Sequence, residues 1–160
     1  MSSNCHIKFD GVDGESTHKD HKGEIDVLSW DWGVSSTSQA IGAGPGASRG
    51  KSVAGPFVFL HVYDRASPVL AKQCAAGKLF KDVTLTATKA GEGQKVFLKI
   101  IMKDVLVTSV QASYSADGNI AESVSLTYRD IEFVYKPQDD KGALGAEVKF
   151  GWDVAKSTVR

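Results

Sequence analysis

The chain has 160 residues, 42% of them hydrophobic, a size and composition that suit one domain (1–160) with a substantial core. Its 19 basic and 19 acidic side chains cancel, which excludes the basic excess of a nucleic-acid surface and leaves little long-range repulsion between copies. Two isolated cysteines, Cys5 and Cys74, lack metal-ligand spacing and are too few for a secreted disulfide framework, so reduced thiols in a cytoplasmic protein are expected.

The opening "MSSNCHIKFDG" carries no apolar run of signal-peptide length, and no stretch approaches a membrane span. Neither membrane insertion nor the signal-peptide export route is expected.

In chain order, strands are predicted at Cys5–Asp10, Ile25–Val34, Pro56–Asp64, Asp82–Lys89, Lys95–Ser113, Ala121–Lys136 and Ala146–Val154. The cleanest is "DVTLTATK", where Val83, Leu85 and Ala87 face one way and Thr84, Thr86 and Thr88 the other. Turn chemistry separates the strands, with "AGEGQ" after Lys89 and "ADGN" at Ala116–Asn119. One helix interrupts them at "SPVLAKQCAAGK", with Ser67 as N-cap, Pro68 at the first helical position and Gly77 closing the end.

Two strands change the parity of their apolar residues. Val124, Leu126 and Tyr128 give way to Ile131, Phe133 and Tyr135, which predicts a bulge or bend at Arg129–Asp130, and Lys95–Ser113 breaks similarly at Lys103–Asp104. Long bent strands and one short helix predict a mainly β fold, a compact barrel or sandwich of packed antiparallel sheets.

Two connections are long: the charged Gly11–Gly23 and the Gly-, Ser- and Ala-rich Ser35–Gly55. The second contains "GAGPGASRGKSV", Gly42–Val53, which ends like a phosphate-binding loop. The spacing fails, because five residues before Gly50 stands Pro45, which has no N–H to donate. The sequence that follows is strand-like, so no helix dipole awaits a phosphate.

His18 and His21 in "HKDH" are expected on a solvated loop rather than as metal ligands, and His6 and His61 as packed or edge histidines in strands. No nucleophile elbow, catalytic cysteine context or assignable carboxylate pair is present, so no enzyme and no cofactor are expected. In "EIDVLSWDWG", Trp30 and Trp32 share one strand face and are expected in the core, while Ser29 and Asp31 project to the opposite surface. The competing functional class is a carbohydrate-binding β-module using Trp30 and Trp32.

The segments "FDGVDGES", "GEIDVLSWDWG", the Gly-rich loop, "SPVLAKQCAAGK", "DVTLTATKAG", "VLVTSVQAS" and "VKFGWDV" occur in that order. Together, over essentially the whole chain, they resemble the hemolysin-coregulated protein family, the tube subunit of the bacterial type VI secretion system. One departure is Asp31, where a small neutral residue is expected. The resemblance implies a compact β-barrel with one helix, assembled as a homo-hexameric ring. It further implies stacked rings forming a hollow tube, a spike at the tip, a contractile sheath, and small effectors bound and protected in the lumen. Such a subunit is assembled in the cytoplasm and secreted without a cleaved signal peptide.

Strand parity then makes Ser29 and Asp31 the expected lumen residues. Gly42, Gly44, Gly46, Arg49, Gly50, Lys51 and Ser52 are expected to form a stacking loop, mobile when alone. Asp10, Asp13 and Glu15 are its candidate partners on the neighbouring ring.

Overall fold

The computed structural model describes residues 4–36, 52–89, 95–139, 141 and 143–160. Among them, eleven strands and one helix follow one another as β1 (Cys5–Phe9), β2 (Ile25–Asp26), β3 (Ser29–Asp31), β4 (Val34–Ser36), β5 (Ser52–Ala54), β6 (Phe57–Val62), α1 (Ser67–Ala76), β7 (Phe80–Thr88), β8 (Val96–Tyr114), β9 (Ile120–Tyr135), β10 (Val148–Asp153) and β11 (Thr158–Val159). The fold is mainly β and antiparallel, as the alternating segments require.

The two sheets are unequal. The larger runs β11-β10-β9-β8-β7-β1-β2, with β6 also paired to β9 and β3 to β6; the smaller is the β4–β5 pair. The predicted strand Ile25–Val34 is therefore divided. Its first part pairs with β1 and its second with β6, and the change of partner occurs where Val27 N donates to Cys5 O and Leu28 N to Leu60 O. This short run bridges the two ends of the ladder and wraps the sheet around its core.

That core is built from the apolar half of each alternation: Ile7 and Phe9 of β1, Phe57 and Phe59 of β6, Val83 and Leu85 of β7, with Ile100, Met102, Val124, Leu126 and Ile131. The parity changes in β8 and β9 meet on one rung. Core-facing Met102 pairs with Ile131 on one side of it and Val105 with Tyr128 on the other, with no change of register. The predicted interruption is thus a bend, located at Asp104 with φ 52°, and not a bulge at Arg129–Asp130. The irregularities of register fall elsewhere, between Val107 and Ser109 in β8 and between Ala87 and Thr88 in β7. Asp130 is buried on the face away from Ile131 because Arg160 covers it.

Helix α1 ends as expected, with Gly77 left-handed (φ 65°) and its N–H bonded to Cys74 O. Its start differs. The N-cap is Ala66, whose N–H donates to Asp64 Oδ1 at 2.9 Å, while Ser67 Oγ accepts from Asp64 N at 3.0 Å. Both side chains thus bond the backbone just ahead of the helix, and Ser67 is not the N-cap. The "ADGN" turn forms as predicted, with Asp117 Oδ1 accepting from Asn119 N at 3.1 Å. The hydrogen bonds it accepts from Ser115 and Asn119 hold the Asp117 carboxyl below the usual carboxylate range.

β11 was not expected from the sequence. It has two residues, and its position rests on Arg160, which exchanges two backbone hydrogen bonds with Gly151 and grips Asp130 with both guanidinium NH₂ groups at 2.7 and 2.8 Å.

Candidate functional site

β3 places Ser29 and Asp31 on the exposed side and turns Trp30 and Trp32 towards the core. Trp30 stacks on Phe57, 5.7 Å between centroids and 16° between planes, and Trp32 packs on Phe133 at 4.8 Å. Both rings are engaged by phenylalanines, the core role expected of them and not that of an open sugar platform.

Trp32 has a second task. Its indole N–H donates to Tyr128 OH at 2.5 Å, and Tyr128 in turn donates to Gly55 O at 2.8 Å, while Gly55 N donates to Gly33 O. This relay fixes the root of the β4–β5 hairpin, and burial raises the Tyr128 phenol pKa above its ordinary value. The hairpin itself is largely solvent-facing: Val34 and Val53 are 51% and 52% exposed. The long connection expected over Ser35–Gly55 therefore has strand at both ends, with Ser52 paired to Ser36. Gly42, Gly44, Gly46, Arg49, Gly50 and Lys51 lie outside the described residues, as does the "AGEGQ" turn. At the hairpin root, an open groove of about 400 Å³ is lined by Asp31, Trp32, Gly33, Val34, Val53 and Pro56 among others.

The register extends the Ser29–Asp31 surface across four strands. Asp31 pairs with Val58, Val58 with Ser125 and Ser125 with Ser109; Ser29 pairs with Leu60, Leu60 with Ser123 and Ser123 with Gln111. These rows lie opposite the buried row of Phe57, Phe59, Val124 and Leu126. Ser123 and Ser125 were not singled out from the sequence; the pairing register shows that they continue the Asp31 face.

Asp10, Asp13 and Glu15 are all exposed on the Gly11–Gly23 connection or at its start, but they are not equivalent. Asp13 faces Lys8 at 3.5 Å, and Glu15 Oε2 accepts from Arg65 N at 2.7 Å, so Glu15 already ties this connection to the start of α1. The connection is closely folded. Gly14 N donates to Gly23 O, Ser16 N to Glu24 O and Gly23 N to Ser16 O. A Cβ at position 14 would stand 2.5 Å from Glu24 O, so only glycine fits there.

Two histidine groups depart from expectation or refine it. His18 and His21 do not lie on a solvated loop: they pack on His6, and His21 is buried. His61 is fully buried, its Nε2 2.8 Å from the buried Glu122 Oε1, with Asp64 near its other nitrogen. Burial, offset in part by the His61 charge, raises the Asp64 carboxyl pKa. Among the described residues no group of three His, Cys, Asp or Glu is arranged to hold a metal ion. Thr86 and Thr88 also fail to form an open polar row, since His21 covers Thr86 and Thr88 donates to Asn4 O. Neither cysteine is in a disulfide, and burial pushes the Cys5 thiol up to about 12.

Residues 6–135 match the family model described as "Type VI secretion system effector, Hcp". The chain belongs to the Hcp family. Protein hcp1 of Pseudomonas aeruginosa is 38% identical over 160 residues, covering 98% of each chain. A solved structure described as a type six secretion system protein superposes with a TM-score of 0.91 at 27% identity, covering 99% of this chain and 100% of that one. Hcp1 from Salmonella typhimurium gives 0.80 at 32% identity, with both chains fully covered. Within the Hcp family, then, the barrel-like sheet, the single helix among the described residues and the "FGW" closing strand are parts of a type VI secretion protein.

Proposed function

We propose that this chain, acting as one unit over residues 1–160, is the building block of a type VI secretion tube. Six copies close into a ring, rings stack into a hollow tube, a spike caps the tip and a contractile sheath drives it outward. Small effectors ride inside and are protected until export. The subunit itself performs no catalysis, assembles in the cytoplasm and leaves without a cleaved signal peptide.

Family membership over nearly the whole chain carries this reading. The exposed β3 face supports it. A face of serines, one glutamine and one carboxylate per subunit, interrupted by Val58 and Leu60, contacts cargo weakly, and we assign Ser29 and Asp31 to the lumen. Gly42, Gly44, Gly46, Arg49, Gly50, Lys51 and Ser52 are assigned to the contact between rings. Asp10 and Asp13 are the better-placed acidic partners, because Glu15 is held within its own subunit.

Light scattering at micromolar concentration tests the assembly. The expected mass is about six times the 17.1 kDa of one chain. A monomer mass would overturn the ring.

A further inference from the structure

The Gly11–Gly23 connection is fastened to the sheet by imidazoles. His6, the second residue of β1, has no exposed surface. Its ring is stacked on His21, 4.7 Å between centroids and 11° between planes, and His18 meets it edge-on at 5.0 Å. His18 and His21 are themselves 5.1 Å apart. Two of the three rings thus belong to the connection and one to the sheet beneath it.

The neighbouring charges are few and unevenly placed. From β2, Asp26 Oδ1 approaches His6 Nε2 to 3.0 Å, without the alignment of a hydrogen bond. From the connection, Glu24 Oε2 lies 3.0 Å from His21 Nδ1. From β7, the facing group is the neutral Thr86 hydroxyl, 3.4 Å from His21 Nδ1. Past it, Lys99 of β8, Lys136 and Glu147 border the same groove as His21. His6 Nδ1 and His18 Nε2 are buried with no hydrogen-bond partner. His18 Nδ1 accepts from Asp20 N at 3.1 Å, so its Nε2 holds the ring's own proton. A further proton on buried His6 has no acceptor at Nδ1, and two imidazolium rings stacked face to face repel at short range.

We infer that the His6–His18–His21 cluster is an acid-operated latch: stacked on an uncharged His6, it holds the Gly11–Gly23 connection on the sheet, and acidification releases it. The release uncovers the outer face of β1 and β7, and frees Asp13 from its position beside Lys8.

The sign follows from linkage. Burial first, and then the charge of His21, lower the His6 pKa below its ordinary 6.5, outweighing Asp26, which raises it. The open form regains the higher value and so binds more protons as pH falls below about 6.5. Each additional proton raises the opening equilibrium by up to about tenfold per pH unit. Above pH 6.5 the latch is indifferent to pH, and below the folded value the effect levels off.

The test is hydrogen exchange of the full chain read by mass spectrometry between pH 7.5 and 5.0, corrected for the intrinsic pH dependence of exchange. Protection of residues 11–24 should fall at least tenfold while β8 and β9 keep theirs. The variants His6→Phe and His6→Gln, whichever folds, should lose that pH dependence. Constant protection of 11–24 across the range would overturn the latch, as would loss shared equally by the whole sheet. An unchanged pH profile in the folded variant would do the same. The reading holds for the subunit whether or not rings form.

Discussion

Glu122 and His61 meet inside the core, 2.8 Å apart, with the glutamate side chain 2% and the histidine 0% exposed. Removing one partner leaves the other polar group buried and unpaired, a loss typically of several kcal/mol. Glu122→Ala is therefore expected to lower unfolding stability by about 3 kcal/mol, read as a shift of the urea midpoint at unchanged slope. Gly14→Ala is expected to cost about 1–3 kcal/mol for a different reason, overpacking against the Glu24 carbonyl. At the surface, one charge matters through repetition. Asp31→Lys should leave folding and ring mass unchanged but alter which effectors are retained in a pull-down, with the difference shrinking as salt rises. Unchanged retention of every effector would remove Asp31 from the lumen.

Among the elements, the β4–β5 hairpin depends on the Tyr128 side chain, which donates to the carbonyl of Gly55, 73 residues away. Tyr128→Phe removes the relay and leaves the Trp32 N–H and the Gly55 carbonyl unpaired, a cost of about 1–3 kcal/mol. The expected readout is faster hydrogen exchange at 34–36 and 52–54, with β8 and β9 unaffected. Most strands were legible because one apolar face in two is a local signal, as in β7, where Val83, Leu85 and Ala87 are buried as predicted. What was not legible depended on distant partners. Ile25–Val34 reads as one strand, yet it divides because β1 and β6 compete for it. Ser67 looks like a cap, but its hydroxyl accepts from Asp64 N, upstream of the helix. The histidine cluster was missed because His6 is twelve residues from His18, and no local pattern says that the intervening chain folds back across the sheet. The exposed face of β3 was half visible: parity gave Ser29 and Asp31, whereas their continuation through Ser109, Gln111, Ser123 and Ser125 needed the register.

For the whole molecule, tube formation is expected to separate from ring formation. Replacing Gly42–Gly50 by a short turn should leave the sheet and the ring mass intact while abolishing tubes at high protein concentration and export from a strain carrying only the variant. Each exposed ion pair contributes only about 0–1 kcal/mol, so the effect depends on the contact being repeated around a ring. Normal tubes and normal export would show that this segment does not join rings.

The β8–β9 ladder has a mechanical consequence. β8 spans 19 residues, about 60 Å at roughly 3.3 Å per residue, and it is paired with β9 from Leu98 to Tyr114. Its hydrogen bonds lie perpendicular to the strands. A pull along the strand axis loads many of them at once in shear, whereas a pull across the axis opens them one after another. The chain is therefore stiff in one direction and tearable in another, and a sudden axial thrust is best borne when this hairpin lies parallel to it.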